Sequence, residues 1–298
     1  MDLIHPQLAA FAAVLEEGSF EGAGRRLCVT SSAVSQRIKA LEDRLGQLLV
    51  VRQPPCRPTP AGELLLRRVR PMQTLEAEAL ADLLPEESQG ARTRPIAIAV
   101  NSDSLITWFL PALSQLHKAH GYLFDLHVDD QDHTLELLRS GAVLGAVSGK
   151  ATPLQGCGVD FLGRMRYQAI ASPSFAARYF SQGVNAATFG RAPMISLNRK
   201  DELQWRFMRG ITRAHLDPPM HYIPTPSGIV EAAALGLGWC LAPDSMLAPA
   251  LKQKSIVILA PEQKLDVPLY WHHAAVRSST LQQLAHVLTT VARGVLHQ

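Results

Sequence analysis

The sequence predicts a multidomain α+β protein: an N-terminal winged helix-turn-helix, a long linker helix, and a C-terminal α/β domain of two subdomains. Three observations carry that expectation. Residues 6–45 hold three short helical patterns separated by turn signals, residues 60–84 form one long helical stripe, and beyond residue 94 strands alternate with helices. A chain of 298 residues also exceeds the size at which a single core keeps growing, so several domains are expected.

The first helix places Leu8, Phe11, Ala12 and Leu15 on one face at a period near 3.6. Gly18 stops it, and Ser19 is placed to cap a second helix over 20–27. That helix carries Gly22 and Gly24, each costing up to about 1 kcal/mol against alanine, so it is expected to be marginal alone. Val29-Thr30-Ser31 makes the turn into a third helix that runs to Leu45-Gly46. Residues 47–59 hold a short apolar run and then three prolines, which suits a small β-wing.

From 60 to 84, Leu65, Val69, Met72, Leu75, Ala79 and Leu83 share one stripe at spacings of three and four. Pro71 sits inside it, where a lost hydrogen bond and a ring clash cost about 3 kcal/mol and should kink the helix. Residues 86–93 read as a linker. Strands are then expected at 96–100, 124–128 and 143–147, apolar runs suited to buried parallel strands. Helices should lie near 105–118 and 133–140. A second set has strands near 194–197, 221–224 and 239–242 with helices near 202–214 and 227–236, and a strand at 267–271 and a helix at 278–296 close the chain. Two small α/β units with a cleft between them follow from this order. The expected division is 1–59, 60–93 and 94–298, with subdomain I at about 94–165 and 268–298 and subdomain II at about 166–267.

Charge and composition narrow the function. The net charge is only +3, but from Arg25 to Arg70 ten basic residues stand against three acids, a local excess of +7. Such an excess is the footprint of a polyanion-binding module. No run of about 18 apolar residues occurs, so no membrane partner is expected. The first helix carries Asp2, Glu16 and Glu17 without a basic leader or cleavage site. Cys28, Cys56, Cys157 and Cys240 are far apart without metal-ligand spacing. Buried free thiols, no metal and a cytoplasmic location are the expectation.

The third helix reads as a DNA reader. At 100° per residue, Val34, Ile38, Leu41 and Leu45 fall together and should face a core. The opposite face presents Ser32, Gln36, Lys39 and Ala40, with Ser35 and Arg37 on the flanks. Short and amide side chains there suit a major groove: Gln36 can pair with adenine, Lys39 with guanine or phosphate, and the serines with either. Thr30 sits at the start of this helix and joins the candidate contacts. Arg25, Arg26, Arg52 and Arg57 are placed to hold phosphates. An ordinary amphipathic helix would explain neither the spacing nor the arginines of the wing.

The run from PQLAAFAAVLEEGSF through SAVSQRIKALE to PTPAG resembles the N-terminal winged helix-turn-helix of LysR-type transcriptional regulators. The later α/β units are similar to that family's effector domain, which resembles periplasmic binding proteins, so the resemblance covers essentially the whole chain. It implies a dimer through the linker helix, assembly into a tetramer that bends promoter DNA, contact with RNA polymerase, and a small effector in the cleft. Two departures stand out: the glycines of the second helix, and a wing reading LLVVRQPPCRPT where most members have Leu-Phe before the arginine. That wing, with NSDSLITWFLPAL, VDDQDHT and DVPLYW, is similar to the arginine/lysine-responsive subgroup. Members of that subgroup control basic-amino-acid export or metabolism.

Ligands of α/β units bind beyond the carboxyl ends of strands, near helix N-termini. Those ends carry Ser102, Asp103 and Ser104; Asp129, Asp130, Asp132 and His133; Ser148; Asn198, Arg199 and Asp201; and Thr225. An α-amino acid needs donors for its carboxylate and acceptors for its ammonium, and lysine or arginine needs a further acid for its side chain. The aspartates supply more acids than one ammonium requires. Arg199 could hold the carboxylate, or equally form a surface ion pair. Asp103 and Asp132 are also placed as helix caps, each worth roughly 1 kcal/mol without any ligand. The expected effector is L-arginine or L-lysine, with no cofactor.

Catalysis is not expected, because no GxSxG, HExxH, GxxxxGK[ST] or strand-following GxGxxG motif appears. Three alternatives remain. One is a regulator of this type that answers another small molecule. Another is a nucleoid-type DNA binder whose cleft domain only drives assembly. The third is a solute-binding transport protein, against which the first 90 residues weigh.

Overall fold

The computed structural model describes residues 3–83, 95–129 and 134–298. Three helices open the chain: α1 (Pro6–Glu17), α2 (Phe20–Arg26) and α3 (Ser31–Leu45). Each boundary has a local cause. Gly18 and Gly46 close α1 and α3 in the left-handed region, at φ 64° and 65°. The Ser19 hydroxyl accepts from Gly22 N at 3.0 Å, and the Thr30 hydroxyl accepts from Ala33 N at 3.2 Å. α2 forms despite its glycines because the fold needs them. A Cβ on Gly24 would lie 2.8 Å from the Val29 carbonyl oxygen, so tertiary contact outweighs propensity.

Phe11, Val14, Ala23, Val34, Ile38 and Leu41 build the small core of this head. Leu45 does not join them. It lies beyond the last packed turn and is 48% exposed. The wing is a two-stranded hairpin, β1 (Val50–Val51) against β2 (Arg57–Pro58). Glu42, buried at the end of α3, anchors it by accepting from Leu49 N at 2.8 Å and Val50 N at 3.3 Å.

The linker helix α4 (Pro60–Leu83) runs unbroken through Pro71. Thr59 starts it, its hydroxyl accepting from Gly62 N at 3.1 Å and donating to Leu48 O at 2.6 Å. The expected stripe divides. Val69 is buried and Leu65 packs on the head core, joined there by Leu66 from outside the stripe, whereas Met72, Leu75 and Leu83 are exposed.

The α/β part has one seven-stranded sheet and a two-stranded one. β3 (Ile96–Val100) lies between β4 (Phe124–Val128) and β5 (Gly145–Ser148), parallel to both. β3 is buried throughout, but β4 is an edge strand and only half-buried. α5 starts with one turn at Ser102–Ser104, passes through a π turn at Leu105–Phe109 and continues as Leu110–His120. α6 (Thr134–Arg139) precedes β5.

The element the sequence pattern hides is β6 (Cys157–Ala171), 15 residues long. It pairs antiparallel with β11 (Leu265–Ala274) over its first part and with β9 (Cys240–Pro243) and β10 (Val257–Ile258) over its last. It therefore belongs to both units. Around its far end lie α7 (Pro173–Tyr179), α8 (Ala186–Arg191), β7 (Met194–Ser196), α9 (Leu203–Ile211), β8 (Met220–Tyr222), α10 (Pro226–Ala234) and α11 (Asp244–Lys252). β7 and β8 are parallel. α12 (Ser279–Val295) returns to pack on β6 and α5. Trp108, Trp239 and Trp271 are fully buried in the main core.

Candidate functional site

The solvent face of α3 carries Ser32, Gln36 and Lys39, with Ser35 and Arg37 half-buried beside them. Burial of Val34, Ile38 and Leu41 fixes that phase. Thr30 is exposed, but its hydroxyl is engaged in the cap and lies 2.9 Å from the Ser32 hydroxyl. Arg25 and Arg57 are exposed and form no ion pair among the described residues. Two other arginines are less free than their charge suggested. Arg26 pairs with Glu16, and with Glu17 at 3.3 Å. Arg52 reaches the Glu42 carboxylate at 3.3 Å and lies 5.5 Å from the centre of the Phe20 ring. Both serve the packing of the head.

A second site lies between the two α/β units. Asn101, Ser102 and Asp103 line it from the end of β3, Asp129 from the end of β4, and Tyr167 from β6. The other wall brings Asp201 and Gln204 together with Ile229 and Leu241. Arg, Lys and His are absent from its described lining, which holds three carboxylates.

Its polar groups differ in how far they are engaged. Tyr167, 1% exposed, donates its hydroxyl to Asp103 Oδ2 at 2.6 Å. Asp201 accepts from the Ser196 hydroxyl at 3.0 Å, Leu197 N at 3.2 Å and Leu203 N at 3.0 Å, which holds the turn before α9. Gln204 is 2% exposed. Its amide N–H donates to Ile195 O at 2.9 Å, and its Oε1 is buried without a donor. Burial pushes the adjacent Cys240 thiol up, and the charges of Asp201 and Asp103 add to that push. Negative potential from both walls thus converges here.

The candidate residues separate accordingly. Ser102, Asp103, Asp129 and Asp201 come together on the cleft. Ser104 points into the interior and is fully buried. Ser148 is also buried, its hydroxyl accepting from Lys150 N at 3.2 Å. Asn198 Oδ1 closes a turn by accepting from Lys200 N and Asp201 N at 2.7 and 3.1 Å. Arg199 stacks 4.9 Å over the Tyr222 ring, and Thr225 caps α10 through Gly228 N at 3.2 Å. None of these five lines the cleft. Asp130, Asp132 and His133 lie outside the described residues.

Comparison with known proteins gives the family. Residues 5–63 match the family described as bacterial regulatory helix-turn-helix protein, lysR family. Residues 89–293 match the LysR substrate binding domain. The chain belongs to the LysR family. It is a DNA-binding transcriptional regulator under effector control, not an enzyme. The regulator LysG of Mycobacterium tuberculosis is 44% identical over 290 residues, 97% of this chain and 94% of that protein. Among solved structures, ArgP from Mycobacterium tuberculosis matches with a TM-score of 0.87 at 42% identity, covering 99% of both chains. Full-length LysG from Corynebacterium glutamicum, with bound effector Arg, matches with a TM-score of 0.78 at 38% identity, over 98% of this chain and 99% of that one.

In this LysR-family cleft, Asn101, Tyr167 and Gln204 were not singled out from sequence. Asn101 directly follows β3 and is readable as part of that strand end. Tyr167 and Gln204 lie inside regular elements, where no turn or cap signal marks them.

Proposed function

We propose that the chain binds promoter DNA through α3 and that the cleft takes L-arginine or L-lysine as the controlling effector. The observation that carries the effector reading is the described lining of three carboxylates without a basic side chain. Such a site favours a ligand with more than one positive charge. Asp103 and Asp129 would hold the two cationic groups, with Gln204 Oε1 as a further acceptor and the Ser102 hydroxyl as a donor to the α-carboxylate. Asp201 is already satisfied by three donors and shapes the wall. LysG of Corynebacterium glutamicum, solved with bound effector Arg, supports the same ligand class.

The effector, seated between the two units, favours one arrangement of them over others. α4 transmits that arrangement to the DNA-binding heads. On this reading residues 1–59 form the head, 60–93 the linker and 94–298 the effector domain, its subdomains meeting near 165 and 268. The exposed Met72, Leu75 and Leu83 of α4 supply the dimer surface. Tetramer assembly, contact with RNA polymerase, a cytoplasmic location and control of basic-amino-acid export or metabolism complete the proposal. Among the described residues, no helix is long and apolar enough to cross a membrane.

A calorimetric screen of the twenty amino acids against the full chain tests the effector. Arginine or lysine should bind and raise the melting temperature. A response confined to acidic or aromatic compounds would sink the assignment.

A further inference from the structure

A second cavity lies apart from the acidic cleft, where α4 meets the α/β domain, and it encloses about 140 Å3. Arg67, Arg68 and Arg70 line it from the helix, and Gly141, Gly156 and Cys157 from the domain. Its described lining contains no aspartate or glutamate. The two cavities are thus opposite in sign.

The three arginines are unequally satisfied. Arg70 has two acids nearby, Glu16 at 3.9 Å and Asp125, but its Nε is buried without an acceptor among the described residues. Neither Arg67 nor Arg68 has an acidic partner among the described residues. Burial pushes the Cys157 thiol up, and the charges of Arg67 and Arg68 pull against that push. The domain wall is set close to the helix here. Gly141 sits at φ +76°, and a Cβ on it would lie 2.6 Å from the Arg67 backbone nitrogen.

Arg67 and Arg68 border this space without an acidic partner among the described residues, and each guanidinium brings up to five donors. An anion with several oxygens offsets their charge and meets those forks in paired hydrogen bonds. We propose that this cavity is a second ligand site, for a small dianion carrying a phosphate or two carboxylates, which bridges the linker helix and the effector domain. A cavity near 150 Å3 holds a benzene-sized molecule, so the ligand is a single phosphate group or a short dicarboxylate rather than a nucleotide. Because it touches both walls, its occupancy biases how the effector domain sits on α4. This site is independent of the amino-acid reading of the acidic cleft.

The test titrates the full-length protein with inorganic phosphate and, separately, with succinate, at constant ionic strength in a chloride background. One of them should bind saturably, and which one assigns the class. The Arg67→Gln/Arg68→Gln double variant should bind it about tenfold more weakly or worse, while keeping its affinity for the amino-acid effector. The same anion should slow alkylation of Cys157, followed by peptide mass spectrometry, in the unaltered protein. That readout decides the matter even if the double variant folds poorly. No saturable binding of either anion, or equal binding by the folded variant, overturns the proposal. Weakened self-association in the variant without anion binding also overturns it, since carboxylates of a second copy would then fill the site.

Discussion

Tyr167 donates its hydroxyl to Asp103 Oδ2 at 2.6 Å, tying the first turn of α5 to a strand shared by both units. Tyr167 pairs with Leu265 of β11 on one side and Pro243 of β9 on the other. The bond therefore fixes one cleft carboxylate at the crossover itself. A hydroxyl bonded to a carboxylate at this distance is of the strong, charge-assisted kind.

Tyr167→Phe should leave the fold intact but lower its stability by about 1.5 kcal/mol, the loss of one charge-assisted bond, and should lower effector affinity because Asp103 loses the donor that orients it. Asp103→Asn should cost more, because it removes charge from the cleft as well as orientation. Calorimetry on the two variants separates these effects. Unchanged affinity in both would remove Asp103 from the site.

Gln204 gives the opposite pairing of stability and binding. Its Oε1 has no donor among the described residues, so Gln204→Leu abolishes a buried unsatisfied acceptor while losing only the bond to Ile195 O. The melting temperature should move by only a few degrees, since these two changes oppose each other. Effector affinity should fall about tenfold if an ammonium or guanidinium donates to that oxygen. A large drop in stability with unchanged affinity would mark Gln204 as structural alone.

The contrast between these residues shows what the sequence could and could not disclose. Asp103 and Asp129 follow apolar runs, so their place at strand ends was readable from pattern. Tyr167 was not, because β6 alternates irregularly: its burial passes from half-buried through exposed to buried along one strand as its partners change. Ser104, Ser148, Asn198 and Thr225 carried the right chemistry next to strand ends, yet their hydroxyl or amide groups are buried or spent on local turns and caps. Local hydrogen bonding of this kind competes with ligand binding and leaves no mark in residue type. The DNA head was more legible, since one helical period sets both its buried and its exposed face. Even there, the pairing of Arg26 with Glu16 joins residues ten apart in sequence on different helices.

On DNA, Gln36→Ala should erode discrimination between operator and unrelated sequence, whereas Arg57→Ala should weaken both and reduce the salt slope by about one. Arg26→Ala should differ from both, lowering the stability of the head because its charge is held by Glu16 and Glu17. Binding isotherms at several salt concentrations, with a melting curve for each variant, check all three. Equal loss on both DNAs for Gln36→Ala would show that the helical phase assigned to base contact is wrong.

Gly62→Ala should destabilise the joint between head and linker. A Cβ there would collide with the Leu49 carbonyl oxygen, a backbone atom that cannot rotate away. The expected cost is about 1–3 kcal/mol, as for other overpacked sites. Gly294, where a Cβ meets nothing within 4 Å, is the control, and its change to alanine should be neutral or slightly stabilising. Chemical denaturation of both variants gives the comparison.

The last expectation concerns acid. Glu78 of α4 accepts from the Ser278 hydroxyl at 2.6 Å and from Thr280 N at 2.9 Å, joining the linker helix to the start of α12. Burial alone would push its carboxyl up, but these hydrogen bonds outweigh it and hold the group below its ordinary range. A carboxyl with a lowered folded-state pKa stabilises the docked form above its unfolded value, about 4.3. That contribution is lost as pH falls through the folded value. Docking of α4 on the effector domain should thus hold at neutral pH and loosen in an acid titration below about pH 4. Glu78→Gln keeps an acceptor oxygen for Ser278 and Thr280 but cannot titrate. Its melting temperature should be lower at pH 7 and should fall less steeply with acid than that of the unaltered chain. Parallel acid profiles for the two proteins would mean that Glu78 does not set this dependence.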